Sequence, residues 1–336
     1  MVSMKDIALR CGVSIATVSK ALNGQPDIGQ ETRERIAAVA KEMGYLTNSA
    51  ARALKTNRTY NLGVLFVDER RSGLGHEYFS SMLESFKVEA EAHGYDITFL
   101  NTNVGGRTTS YLQHCRYRGL DGVVIACVDF TDPRVQELVQ SDIPLVTIDH
   151  VFNDRLAVLS DNVGGLDALV RYAYGKGHRR IAFLHGENTS VTRARLTGFW
   201  RACEELELQI PPEYIVPCVY HDPACSAKAT RQLLSLPQQP TCIIYPEDFS
   251  YIGGANVLAE MGLRVPEDIS VMGYDGINLA KVMRLTTYSQ NTVAIGATAA
   301  QQLIRLIEHP KTTVIERIQI SGSLMEGSSV GDIHSL

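Results

Sequence analysis

The sequence lacks any unbroken apolar stretch near the length needed to span a bilayer. That excludes a chain built on membrane-crossing helices. The N-terminal run MVSMKDIALRCGVS carries charges at Lys5, Asp6 and Arg10 and has no apolar centre, so it is not expected to act as a secretory signal. No two cysteines are spaced as CxxC. The seven (11, 115, 127, 203, 218, 225 and 242) are scattered and odd in number, which points to reduced thiols in a cytoplasmic protein, not to a disulfide framework or a metal site. No G-x-G-x-x-G or Walker pattern follows the apolar run Leu62–Val67, and Gly164-Gly165 and Gly253-Gly254 are too sparse to cradle a phosphate. There is no G-x-S-x-G, and no set of nucleophile and base stands out. An enzyme is therefore not expected, nor a cofactor or a metal. The C-terminal SSVGDIHSL has no leucine heptads, so a homodimer is expected, not a coiled-coil tetramer.

What is present is a chain of 336 residues, 45% hydrophobic, which is long enough for more than one globular domain. Its net charge of −5 hides an asymmetry. Residues 1–60 sum to +4 and the remainder to −9. A basic front end on an acidic body suggests that only the front faces a polyanion.

The first sixty residues read as three helices. Met4–Cys11 puts Ile7, Ala8 and Cys11 on one face. Gly12-Val13-Ser14 is a tight turn, with Ser14 placed to cap a second helix, Ile15–Leu22, which Asn23-Gly24 ends. A third helix starts at Gln30 or Thr32 and carries an apolar stripe of Ile36, Val39, Ala40 and Met43. Two short helices joined by a glycine-containing turn form the helix-turn-helix pattern, whose second helix enters the DNA major groove. The side chains offered there are Ile15, Ala16, Thr17, Ser19 and Lys20, with Ser14 and Asn23 at the helix ends. Hydroxyls and the lysine can bond phosphates or base edges, and Ile15 and Ala16 can touch a thymine methyl. Val18 and Leu22 are expected in the core.

From Leu62 onward, strands alternate with amphipathic helices for more than two hundred residues. Strands are predicted at Leu62–Val67, Asp96–Leu100, Gly122–Val128, Pro144–Ile148, Arg180–Leu184, Cys242–Tyr245 and Ile269–Met272. Helices are predicted at Tyr78–His93, Gly165–Tyr174, Arg195–Glu205, Cys225–Leu234 and Gly253–Met261. That alternation implies parallel, doubly wound α/β sheets, and two similar lobes fit the length. Ligands of such sheets sit at the C-terminal ends of strands, where Asp149, Glu247, Asp248 and Asp275 fall. Arg195, read as the start of a helix, offers a planar fork of donors.

The run MKDIALRCGVSIATVSKALNG resembles the N-terminal signature of the lactose-repressor (LacI) family, with Cys11 where alanine is usual. Residues 44–55, GYLTNSAARALK, resemble that family's hinge helix, with Thr47 in place of the usual proline. The likeness continues through DGVV at 121–124, IPLVTID at 143–149, DN at 161–162, GHRRIA at 177–182, RLTGF at 195–199, GLRVPEDISVMGYD at 262–275, LTT at 285–287 and EGSSV at 326–330. The resemblance implies a DNA-binding headpiece at 1–47 and a hinge at 48–61. A two-lobed periplasmic-binding-protein-like core follows at 62–336, with one lobe about 62–160 plus 291–320 and the other about 162–290 plus 321–331. It implies that Leu54 wedges into the minor groove beside Lys55, with Asn48 and Arg52 on the same element. It also implies effector-pocket positions at Tyr78, Phe79, Asp149, Asp161, Arg195, Asp248 and Asp275, with His221 near the aromatic position of the second lobe. Tyr78 and Phe79 are expected to stack on one face of the ligand. The segment Asp68–His76 is expected to face solvent.

Together these readings describe a sequence-specific transcription regulator, a repressor by resemblance. Two headpieces of a homodimer would meet a palindromic double-stranded operator under the control of a small effector. A sugar or sugar derivative is the family's commonest effector, and the pocket residues are equally compatible with a nucleoside. A transport binding protein is disfavoured by the basic headpiece and the missing signal.

Overall fold

The structure is a computed structural model that describes residues 2–45, 58–67 and 73–334. The hinge positions Asn48, Arg52, Leu54 and Lys55 lie outside the described residues, as do residues 68–72. The chain divides into two units, Met1–Thr59 and Tyr60–Leu336.

Among its described residues the first unit has three helices, Met4–Cys11, Ile15–Leu22 and Gln30–Glu42. The first opens with a capping box in which the Ser3 side chain accepts from Asp6 N–H and the Asp6 carboxylate accepts from Ser3 N–H. Gly12 follows it at φ 64°, a left-handed conformation that turns the chain sharply. Ser14 Oγ then accepts from Thr17 N–H at 3.0 Å and starts the second helix. The helices close over Ile7, Ala8, Val18, Ala21, Ile36 and Ala40, with Leu22, Val39 and Met43 packed at the rim. This small core is the whole hydrophobic support of the described part of the unit, so each buried aliphatic carries much of its stability.

The second unit is built on two six-stranded sheets. The first uses β1 (Asn61–Phe66), β2 (Asp96–Phe99), β5 (Gly122–Ala126), β6 (Leu145–Ile148), β7 (Leu156–Ser160) and β13 (Arg317–Ile320), all parallel, in the order β13-β7-β6-β5-β1-β2. The second uses β8 (Ile181–His185), β9 (Ile215–Pro217), β10 (Cys242–Ile244), β11 (Ser270–Asp275), β12 (Thr286–Ser289) and β14 (Ser323–Met325), in the order β14-β12-β11-β10-β8-β9. Only β14 runs antiparallel to its neighbour there. A two-residue hairpin, β3 (Asn103–Val104) with β4 (Arg107–Thr108), stands apart. The chain passes between the sheets after Ser160, after Ser289 and after Ile320.

Helices cover both faces of each sheet, so the central strands are buried throughout. β5 (GVVIA) and β6 (LVTI) are unbroken runs of buried residues, as parallel strands covered on two sides must be. The expected α/β architecture is therefore present. Seven strands (β3, β4, β7, β9, β12, β13 and β14) lie outside the sequence prediction. Six of them are short or rich in Thr, Ser, Arg and Gln, and edge strands such as β13 need no apolar run; β7 (LAVLS) is a buried apolar run like those of the predicted strands.

The helix predicted from Arg195 in fact begins at Ser190, capped by Thr189, so Arg195 sits in its second turn. The helix predicted from Gly165 begins at Asn162 and is capped by Asp161. These two helices press closely together. A Cβ on Gly198 would lie 2.1 Å from Val163 O, so only glycine allows the approach. No helix among the described residues is long and apolar enough to cross a membrane.

Candidate functional site

In the first unit, the second helix presents one face outward. Ile15 is 49% exposed, and Ala16, Lys20 and Asn23 are also exposed. Val18 and Ala21 point into the core and fix the rotation of the helix. Ser14 Oγ lies 2.9 Å from Thr17 Oγ1, and Asn23 Nδ2 donates to Ser19 O at 2.6 Å, so these polar groups are held in place before any ligand arrives. Lys20 Nζ reaches Asp27 at 2.5 Å across an exposed surface. Such a pair is weak and solvent-screened, and a phosphate can replace the carboxylate.

In the second unit, the C-terminal ends of both parallel sheets converge on a cavity of about 240 Å³. Its wall includes His76, Glu77 and Tyr78 from the first lobe and His221, Glu247, Phe249 and Asp275 from the second. Three non-glycine residues here adopt positive φ: Asp149 (56°) just after β6, His221 (56°), and Asp275 (104°) at the end of β11. Backbone strain of this kind persists only where the surroundings impose it, and it clusters at functional sites.

The buried charges form one network. Arg195 is 4% exposed. Its Nε donates to Asn162 Oδ1 at 2.8 Å and its Nη1 to Pro246 O at 2.7 Å, while Nη2 stands 3.7 Å from Asp275 Oδ1. The guanidinium lies over the Tyr274 ring at 3.7 Å and beside the Tyr220 ring at 5.5 Å. Gln290 Nε2 donates to Asp275 Oδ1 at 2.7 Å. Burial pushes the Asp275 carboxyl up to about 7, against the pull of Arg195. Asp149 accepts from Ser160 N–H at 2.7 Å, from Ser160 Oγ–H at 3.1 Å and from the Tyr78 hydroxyl at 3.3 Å. Burial still holds its carboxyl above the usual range.

Glu247 behaves differently. Burial works to raise its carboxyl, but donation from His221 and Ser250 outweighs this and holds it below the ordinary value. Its Oε1 accepts from His221 N–H at 2.6 Å and from Ser250 Oγ–H at 2.5 Å. Above it runs a column of rings. Phe249 stacks on His221 at 3.9 Å between centroids, His221 stacks on His76 at 4.3 Å, and His76 meets Phe79 edge-on at 4.8 Å.

Of the eight predicted pocket positions, Tyr78, His221 and Asp275 line the cavity. The other five do not. Phe79 packs against Phe66 and His76, one shell behind, and Arg195 and Asp149 stand behind Asp275 and Tyr78. Asp161 caps a helix through Gly164 N–H. Asp248 is fully buried, and its Oδ2 accepts from Gly276 and Ile277 N–H at 2.7 and 3.0 Å, which shapes the turn after β11. The Tyr78 hydroxyl is anchored on Asp149 and Ser160, and Phe79 meets Phe66 and His76. The segment expected to face solvent ends with His76 in the cavity wall. Reasoning from sequence missed His76, Phe249 and Tyr220. Glu247 was named only as a strand-end acid, and its neighbour was preferred.

A helix-turn-helix unit on the same chain as a two-lobed, cleft-bearing core defines a ligand-responsive DNA-binding transcription regulator. Known proteins agree. Residues 3–48 match the model of bacterial regulatory proteins of the lacI family, and residues 170–330 match that of the periplasmic binding protein-like domain. The chain is 32% identical to the HTH-type transcriptional repressor PurR of Escherichia coli O139:H28 (strain E24377A / ETEC) over 341 residues, covering 99% of this chain and 98% of that protein. The PurR of Shigella boydii serotype 18 (strain CDC 3083-94 / BS512) gives the same values. Among solved structures, the lac repressor dimer bound to operator and the anti-inducer ONPF has a TM-score of 0.80 at 22% identity, covering 98% of this chain and 99% of that one. The transcriptional regulator CelR in complex with cellobiose has a TM-score of 0.70 at 23% identity, covering 98% of this chain and 100% of that one. The chain belongs to the lacI family of bacterial regulatory proteins.

Proposed function

We propose that the protein is a cytoplasmic repressor, without enzymatic activity, that binds a palindromic operator as a homodimer and is controlled by an uncharged, hydroxyl-rich effector such as a sugar. In this reading Ser14, Ile15, Ala16, Thr17, Ser19, Lys20 and Asn23 meet the major groove, and Asn48, Arg52, Leu54 and Lys55 meet the minor groove. Relatives named as repressors support the sign of action. The CelR structure, described as a cellobiose complex, supports a sugar.

The observation that carries the effector class is the lining of the cavity. Among the described residues it holds the carboxylates of Glu77, Glu247 and Asp275 and the Tyr78 hydroxyl, with no lysine or arginine. Carboxylates accept from hydroxyls, and the Glu247 carboxylate, held below the ordinary range, disfavours a phosphate beside it. Arg195, the cation expected in the pocket from the sequence, has its donors turned to Asn162 and Pro246. A thermal-shift screen of the full chain against neutral sugars, sugar phosphates and nucleosides tests this, since a ligand that binds the folded state raises its melting temperature. Stabilisation by a neutral sugar is expected, and stabilisation by sugar phosphates alone would overturn it. A second reading, a nucleoside, draws support from the Phe249–His221–His76 ring column, which offers aromatic faces to a base.

A further inference from the structure

We propose that the cleft binds a divalent transition-metal ion through His76, His221 and Glu247, and that the ion ties the first lobe to the second.

The three side chains come from distant parts of the chain. His76 precedes the helix Glu77–Ala92 of the first lobe, and His221 and Glu247 follow β9 and β10 of the second. Their ligating atoms all lie within 4.8 Å of one another. Two imidazoles and a carboxylate are the donor set of zinc, nickel or cobalt, and a poor one for magnesium or calcium, which favour all-oxygen shells.

Part of the geometry is already in place. His221 Nδ1 is 3.5 Å from Glu247 Oε2. Ligand bonds of about 2.0–2.1 Å at tetrahedral angles put two donor atoms about 3.3 Å apart, so this pair needs almost no adjustment. Glu247 is 3% exposed, and its Oε1 is fixed by His221 N–H and Ser250 Oγ–H. That leaves Oε2 turned toward the His221 ring, and a carboxylate oriented by such bonds is what a metal ligand requires. His221 holds a positive φ of 56°, strain that the backbone bond to Glu247 maintains.

His76 completes the set from the opposite lobe. Bringing its nitrogen to ligand distance requires a closure of up to about 1.5 Å between donor atoms. That closure, with the His76 ring rotated out of its stack on His221 so that both in-plane lone pairs meet at the ion, draws the lobes together. Three protein donors leave a fourth position facing the cavity, which water or a hydroxyl can fill. Both imidazoles ligate in the neutral form, so metal binding releases any proton they carry.

The test uses the full chain without a histidine tag, freed of metal and titrated with zinc chloride by calorimetry, with neither DNA nor effector present. One zinc per chain is expected, with protons released and a zinc-dependent rise in melting temperature. Cobalt chloride should give the visible absorption of a four-coordinate site. His221→Ala and Glu247→Gln should each weaken binding by about a hundredfold or more, and His76→Gln by at least about tenfold. Melting of each variant without metal confirms that it folds, and the wild-type stoichiometry decides the matter if one does not. Absence of zinc binding to the wild-type chain overturns the proposal. So does one-to-one binding that all three variants retain.

Discussion

The guanidinium of Arg195 lies 3.7 Å over the ring of Tyr274, the residue that precedes Asp275 on β11. The ring and the charge lock each other behind the cleft wall. Arg195 therefore reads as the part that holds Asp275, Asn162 and the Pro246 carbonyl in register, with its donors already engaged.

Replacing Arg195 should act through that network. Arg195→Ala leaves Asn162 Oδ1 and the Pro246 carbonyl without their buried donor and should destabilise the second unit by about 1–3 kcal/mol. Arg195→Lys keeps the charge but loses the planar fork and the ring stacking, so effector response should fall while the fold survives. Urea unfolding and effector titration of both variants check this. A normal response in Arg195→Lys contradicts the positioning role.

Asp275 predicts a pH dependence of definite sign. Its carboxyl titrates near 7 in the folded protein, against 3.8 ordinarily. Between those values the folded state holds a proton that the unfolded state has lost. Stability should therefore decline as pH rises from about 4 toward 7, and level off above. Asp149 and Asp248, both raised mainly by burial, add in the same direction. Asp275→Asn should flatten the slope measured by urea unfolding between pH 5 and 8. An unchanged slope would mean that Asp275 is ionised throughout.

Lys20 should contribute a phosphate contact in the headpiece. Lys20→Ala should weaken binding to specific and non-specific DNA alike and reduce the salt slope by about one. Asp27→Ala removes the competing partner at 2.5 Å and should leave binding equal or slightly tighter. Fluorescence anisotropy across a salt series measures both.

The headpiece core should tolerate little. Ile36 is fully buried in a cluster of six small and medium aliphatic side chains. Ile36→Ala should cost about 2–5 kcal/mol, enough to unfold the first unit while the second remains folded. Loss of operator binding with retained effector-dependent stabilisation is the expected pair of results.

The parts legible in the sequence were those with local causes. The helix-turn-helix follows from Gly12 and Ser14, which act within a few residues, and from the apolar spacing within each short helix, which places Ile7, Val18 and Ile36 inward. The central strands follow from their apolar runs. The helix of Arg195 was placed late because its first turn, Ser190–Arg193, has little apolar pattern and is fixed instead by the Thr189 cap. The cleft was the least legible part. Asp149 and Asp275 stood out as strand-end carboxylates, but which strand-end acid faces the cavity depends on the turn. Asp248 bends back to the Gly276 and Ile277 amides, and Glu247 takes the position that lines the cavity. His76 and His221 are 145 positions apart, and no spacing rule links residues that meet only when two lobes face each other.

The central claim is that DNA and effector affinities are coupled through one molecule. The direct measurement is operator affinity with and without a saturating effector found in the thermal screen, followed by effector affinity with and without operator. The account predicts that both change by the same factor, as a coupling free energy requires. Operator binding indifferent to every ligand that stabilises the second unit would contradict it.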